Sequence, residues 1–197
     1  MAIEDEWIAS NDSALLLSIL KHEGDKNVIY RDIKSGRLRA AEDCDAEACM
    51  ENNTWPAYVD TEGLDTVGVG HLITGDEAYN CYAGVSDENV MKQLEIDLQK
   101  HLAAAKKLAE DHGMNIGGNY TVQRFMTELC FNIGASGYSK FKNGLKKLTS
   151  AVNGDGQFTY NDAADEHLDS KWARQVKGRA KDMTDTLRAL DLEHANS

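Results

Sequence analysis

Apolar residues recur at helical spacing along most of this chain. Leu16, Leu17 and Leu20 fall on one side of a helix predicted to run from a Ser13 cap to Glu23, with Gly24 as its stop. Val90, Leu94, Leu98, Leu102 and Ala105 mark a longer helix. It begins at Ser86, places Asp87 and Glu88 at its positive end, and stops near Gly113. At about 25 residues it would span roughly 37 Å, enough to join two lobes. After a turn at Gly117-Gly118-Asn119, a Thr121 cap opens a segment whose Val122, Phe125, Met126 and Leu129 read as core. Gly137–Leu148 reads as another helix start and stripe, Ala163–Leu168 as a short helix, and Trp172 as core.

The helical period breaks between Tyr58 and Thr74. Ala57, Tyr58 and Val59 suit a short strand, and Thr61-Glu62-Gly63 suits a turn in which glycine takes a positive φ. Thr66-Val67-Gly68-Val69-Gly70 then alternates glycines with β-branched residues, so something is expected to approach the backbone closely there. Asp60 and Thr66 sit at the two ends of this hairpin. Glu23 sits at the end of the first helix, where partial negative charge favours the protonated carboxyl a general acid needs. Two carboxylates on rigid neighbouring elements beside a glycine-lined groove are the parts required for glycoside hydrolysis.

These residues carry a resemblance. The apolar helix ending Lys21-His22-Glu23-Gly24, then YVDTEG and TVGVGHLIT, resembles the phage-type lysozymes, glycoside hydrolase family 24. The likeness resumes in Phe131-Asn132-Ile133-Gly134, in Phe141 to Leu145 and in Ser170 to Gln175, with Arg179 following. It implies an α+β, lysozyme-like fold within one domain over residues 1–197. A small β-hairpin lobe (about 13–86) would be joined by a connecting helix (about 87–111) to a helical lobe (about 112–192). It implies a muramidase that cleaves the β-1,4 bond between N-acetylmuramic acid and N-acetylglucosamine in peptidoglycan. Glu23 would protonate the leaving oxygen, and Asp60 would act on water at the opposite face with Thr66 holding that water. Gly70, Leu72, Phe131 and Asn132 would touch sugar. His71 would pair with Asp97, and Arg179 with the catalytic acid. The family inverts, which asks for carboxyls about 6.5–9.5 Å apart. No cofactor or metal is implied.

The pattern departs from the family at residues 31–55. Here an insertion rich in Ala, Glu and Asp, too polar for a core of its own, separates Glu23 from Asp60. It brings in Asp32 as a rival second carboxylate; Asp60 is preferred because Thr61-Glu62-Gly63 and Thr66 follow it at the family spacing. The insertion is expected to cap one edge of the cleft, and a Cys44–Cys49 disulfide within it stays open beside free thiols.

Composition narrows the partners. With 197 residues, a single proline and abundant Ala, Leu, Lys and Glu, the chain reads as one helix-rich domain. A net charge of −12 excludes nucleic acid, which demands a basic surface, and also opposes an anionic cell wall. No run of apolar residues is long enough for membrane insertion, and the first residues, MAIEDEWIAS, lack the pattern of a secretory signal. Such an enzyme would reach the periplasm or wall by holin-type release, on a phage tail, or with a secretion carrier; a free form is expected to be monomeric. Asn153, Asp155, Gly156 and Asp162 brush against a calcium-loop pattern, but Ala151 holds the first ligand position, so a polar turn is expected. Two other classes remain: a non-catalytic wall-binding or structural phage tail module, and an interbacterial toxin or lytic transglycosylase.

Overall fold

The computed structural model describes residues 7–75 and 78–195. The fold is α+β: ten helices among the described residues and a small four-stranded antiparallel sheet. The chain divides into two compact units, one of residues 13–97 and one of residues 1–12 with 98–197. No described helix is long and apolar enough to cross a membrane.

The smaller unit begins with α1 (Ser13–Glu23) and α2 (Lys26–Lys34), separated by Gly24 at φ +84°. The buried face of α1 is Leu15 and Ile19 rather than the expected Leu16, Leu17 and Leu20; Leu17 is 69% exposed. Five apolar residues within six positions allow two overlapping stripes, and packing selects the other one. Asp25 caps α2 by accepting from the Asn27 and Val28 amides.

The sheet takes the order β1 (Arg39–Ala40), β2 (Tyr58–Val59), β3 (Asp65–Val67), β4 (His71–Leu72). Tyr58 pairs with Thr66, and Thr66 with Leu72, so these three side chains share one face. β3 ends at Val67, and Gly68 to Gly70 form the turn into β4, with Gly68 and Gly70 at positive φ. What approaches Gly68 is a core side chain: a Cβ there would lie 2.8 Å from Cγ1 of Val90.

The insertion is not the coreless segment expected from its polarity. It supplies β1, paired to β2, and α3 (Ala46–Glu51), and it buries Ala41, Cys44, Ala46, Cys49 and Trp55. Trp55 bridges to Val85, and its indole donates to Asp87 at 2.7 Å. The Asp87 carboxyl is held below its ordinary range, first by the hydrogen bond from Lys26 and then by Trp55. The smaller unit also holds the short α4 (Ala78–Tyr82), whose Tyr82 hydroxyl donates to Asp65 at 2.6 Å.

α5 (Asp87–Asp111) starts after Ser86, whose hydroxyl accepts from the Asn89 amide, and closes before Gly113 at φ +65°. Its stripe is buried at Val90, Leu94, Leu98 and Ala105. The larger unit continues with α6 (Tyr120–Tyr138), α7 (Lys142–Asn153), α8 (Tyr160–Leu168), α9 (Lys171–Val176) and α10 (Gly178–Ala195). Asn119, rather than Thr121, caps α6. Gly137 belongs to the end of α6, and the next helix starts only at Lys142. α8 packs against both α7 and α10. Lys147 binds Glu166 at 2.6 Å, Arg188 binds Asp165 at 2.6 Å, and Asp191 accepts from the first amides of α8.

The core of this unit is one cluster running from Ala105 to Leu187. Within it lies His167, fully buried. Its Nδ1 donates to the Ala163 carbonyl at 2.7 Å, which leaves Nε2 to accept from the Tyr138 hydroxyl at 3.3 Å. Phe125 and Phe141 flank the ring, and Gly144 leaves room for it. Burial lowers the His167 pKa to about 4, so the ring is neutral. The calcium-like stretch serves as caps and turns. Asn153 accepts from the Asn115 amide, Asp155 from Ser150 and Gln157, and Asp162 completes a capping box with Thr159.

Candidate active site

The three residues predicted to be catalytic lie in the smaller unit. Glu23 ends α1, Asp60 follows β2, and Thr66 sits in the middle of β3. Glu23 and Asp60 are half-buried, and Thr66 is buried.

Asp60 is held by the turn it opens. Its Oδ1 accepts from the Glu62 amide at 2.9 Å and the Leu64 amide at 2.8 Å, while its own amide donates to the Leu64 carbonyl. Gly63, at φ +84°, lets the chain reverse that tightly. The carboxylate is therefore fixed by backbone rather than by a flexible partner. Thr66 Oγ1 donates to the Leu64 carbonyl at 3.2 Å, which anchors the hydroxyl to the same turn.

Tyr58 is a residue that sequence reasoning used only as a strand former. Its phenol is held well above its ordinary pKa, first by burial and then by the negative charges of Glu23 and Asp60. Both carboxylates thus act on one buried hydroxyl, from the end of α1 and from the end of β2. Tyr58 is the partner of Thr66 across the sheet, a register that only the folded sheet shows.

Asp32 is placed differently. Its Oδ1 lies 3.5 Å from both Arg31 Nε and Arg37 Nη1, and its carbonyl accepts from the Arg37 and Leu38 amides. It closes the turn at the start of the insertion. Asp32 does not figure among the charges acting on Tyr58.

His71 Nδ1 lies 2.7 Å from Asp97 Oδ2, and Gln93 donates to the other oxygen of Asp97 at 3.1 Å. This ties β4 to α5. Gly70 and Leu72 flank His71; Leu72 is exposed on the face shared with Thr66 and Tyr58. His71 also borders a cavity of about 510 Å³ between the β3–β4 turn and α5, with Val67, Val90, Gln93 and Leu94.

The remaining candidates lie in the larger unit. Phe131 meets His101 edge-on with ring centroids 5.3 Å apart. Asn132 Oδ1 accepts from the Trp172 indole at 2.5 Å, so Trp172 has a polar task beyond the core role expected for it. Both precede a kink in α6 at Gly134, at φ +70° and ψ +156°. Arg179 is buried with Nε 3.5 Å from Glu128 Oε1, and Glu128 is buried as well. The reading from sequence paired Arg179 with the acid and did not single out Glu128; a charged residue amid Met126, Leu129 and Cys130 is the signal that marks it.

No known family model matches the chain. Among curated proteins it is similar to the pre-baseplate central spike protein Gp5 of Enterobacteria phage T4, at 27% identity over 154 residues. That stretch covers 69% of this chain and 26% of the spike protein, so the chain spans about a quarter of its relative's length. The likeness is to a phage protein, and it is distant.

Proposed function

We propose that the chain is a phage-associated muramidase of the family 24 lysozyme type, hydrolysing the β-1,4 bond between N-acetylmuramic acid and N-acetylglucosamine in peptidoglycan. The observation that carries this reading is the built pair of polar groups at one turn, an Asp60 carboxylate fixed by two backbone amides and a Thr66 hydroxyl anchored to the same turn, with the Glu23 carboxyl at the end of α1 in the same unit. Glu23 protonates the leaving oxygen. Asp60 already commits Oδ1 to two amides, so Oδ2 is the oxygen that orients and deprotonates water. Thr66 holds that water, and the oxocarbenium-like transition state develops beside the Asp60 charge. Attack from the face opposite the leaving group inverts the anomeric centre. Gly70 and Leu72 contact sugar from the smaller unit, and Phe131 and Asn132 are the sugar contacts that the resemblance assigns to the larger one.

Similarity to a baseplate spike protein favours delivery on a phage tail, placing the enzyme at the host wall and in the periplasm. The same similarity favours a second reading, a structural tail part without turnover. Digestion of purified peptidoglycan separates the two. New reducing ends support hydrolysis, 1,6-anhydro ends indicate transglycosylation, and binding without any product indicates a structural module.

A further inference from the structure

The insertion holds two buried thiols that take no part in the proposed chemistry. Sγ of Cys44 and Sγ of Cys49 lie 3.9 Å apart. Cys44 directly precedes the Asp45 cap of α3, and Cys49 lies within that helix. The Ala57 amide donates to Cys44 Sγ at 3.2 Å, and Ala57 leads straight into β2 and Asp60. The Cys49 carbonyl accepts from both the amide and the hydroxyl of Thr54. Gly84 presses on the other side, where a Cβ would come 2.9 Å from Cys49 Sγ. Both sulfurs are covered: Cys44 is 9% exposed and Cys49 2%.

We propose that Cys44 and Cys49 are a modification site, joined in an intramolecular disulfide when the chain folds in an oxidising compartment, and that this bond closes a short loop around the start of α3, beside the segment entering β2. A disulfide needs sulfurs about 2.0 Å apart, so the present contact must close by roughly 2 Å, within reach of side-chain rotation. The oxidant is a small-molecule disulfide such as oxidised glutathione. One cysteine, as thiolate, attacks it to form a mixed disulfide and expels one glutathione thiolate. The second cysteine thiolate attacks the protein-side sulfur and expels the other. Two protein thiols are oxidised, one external disulfide is reduced to two thiols, and the two protons pass to the departing thiolates.

Burial sets when this happens. It pushes the Cys44 thiol up to about 12, so little of that thiolate is present in the folded chain, and the Cys49 sulfur, 2% exposed, is covered against a disulfide in solution. The bond therefore forms before α3 closes over it, and the same cover then keeps reductants out. The inference is independent of any hydrolase activity.

The test refolds the full chain from denaturant, once with a glutathione redox pair and once with dithiothreitol, then denatures it, alkylates it and weighs it. Oxidative folding is expected to leave two of the four cysteines open to alkylation, with a peptide crosslinked through Cys44 and Cys49. The thermal midpoint should rise by about 5 °C over the reduced form. Cys49→Ala should abolish the rise, and Cys81→Ala should keep it. As a check that needs no variant, oxidised glutathione added to the folded, reduced chain should react at least ~10-fold more slowly than with the denatured chain. Four alkylated cysteines after oxidative folding, a bond to Cys81 or Cys130, or equal midpoints with the bond present would overturn the proposal.

Discussion

The two compact units are stabilised in different ways. The larger one has a continuous apolar cluster from Ala105 to Leu187, with His167 and the Glu128–Arg179 pair enclosed in it. The smaller one has strands of two or three residues, positive-φ glycines at its turns, and carboxylates held by backbone amides. It buries a smaller apolar set, Leu15, Ile19, Trp55 and Leu94 among it, and adds specific polar ties: Asp60 to its turn, His71 to Asp97, and Asp87 to Lys26 and Trp55. Polar ties are directional, and they hold a charge in place without burying it away from substrate. The proposed chemistry thus lies where position is fixed by hydrogen bonds, and the bulk of the apolar burial lies elsewhere.

That contrast can be broken at the carboxylates first. Glu23→Gln is expected to lower peptidoglycan hydrolysis by at least ~1,000-fold with an unchanged melting curve, because an amide cannot supply the proton. Asp60→Asn should cost ~100-fold or more, while Asp32→Asn stays within a few-fold, since Asp32 serves two arginines. Initial rates of reducing-end release measure all three. If Asp32→Asn is the more damaging, the second carboxylate has been misassigned.

The larger unit breaks through its buried charges. Arg179→Met should lower stability by about 3 kcal/mol by leaving Glu128 buried opposite an apolar side chain, and the Glu128→Leu/Arg179→Met double variant should lose less than the two single losses combined. Urea unfolding followed by circular dichroism reads this coupling. Additive losses would show that the pair does not act as a unit.

His167 sharpens the comparison through pH. Its folded pKa, about 4, lies below the unfolded value of about 6.5, so the unfolded chain binds the proton more readily. Its contribution to stability is fully present above the unfolded pKa and is lost as pH falls through that window. The loss between pH 6.5 and 4 is on the order of 3 kcal/mol. His167→Gln should flatten that part of the stability profile whatever its effect at pH 7.

The smallest effect concerns charge. A chain of net charge −12 repels an anionic wall, and added salt shortens the Debye length to about 8 Å near 0.15 M. Turbidity clearing should therefore rise a few-fold as NaCl increases from low millimolar concentrations. A steady decline would show that a local basic surface outweighs the net charge.

Long periodic elements were the legible part of this chain. α5 could be bounded from Ser86, its acidic first turn and Gly113, because cap, dipole and stripe agree there. The hairpin was legible because turn residues announce it. The buried face of α1 was not, since local sequence offered two apolar stripes and only packing distinguishes them. Nor was the strand inside the insertion: two residues are too few for any period, and the polar residues around them hide the buried Ala41, Cys49 and Trp55. At the site, Glu23 and Asp60 could be singled out by residue type and position. Tyr58 could not, because its significance lies in which charges reach its hydroxyl across the fold.

The brevity of the strands has a consequence for the chain at high concentration. A sheet ends in two rows of unpaired amides and carbonyls, and a long flat row invites a neighbour to add its own strand. Here β1 and β4 form those rows, and each is two residues long. Arg39 charges one rim and His71 turns aside to Asp97 on the other. Such edges offer another molecule only one or two backbone hydrogen bonds, too few to seed aggregation. Crowding therefore exerts little pull toward intermolecular sheets at these rims.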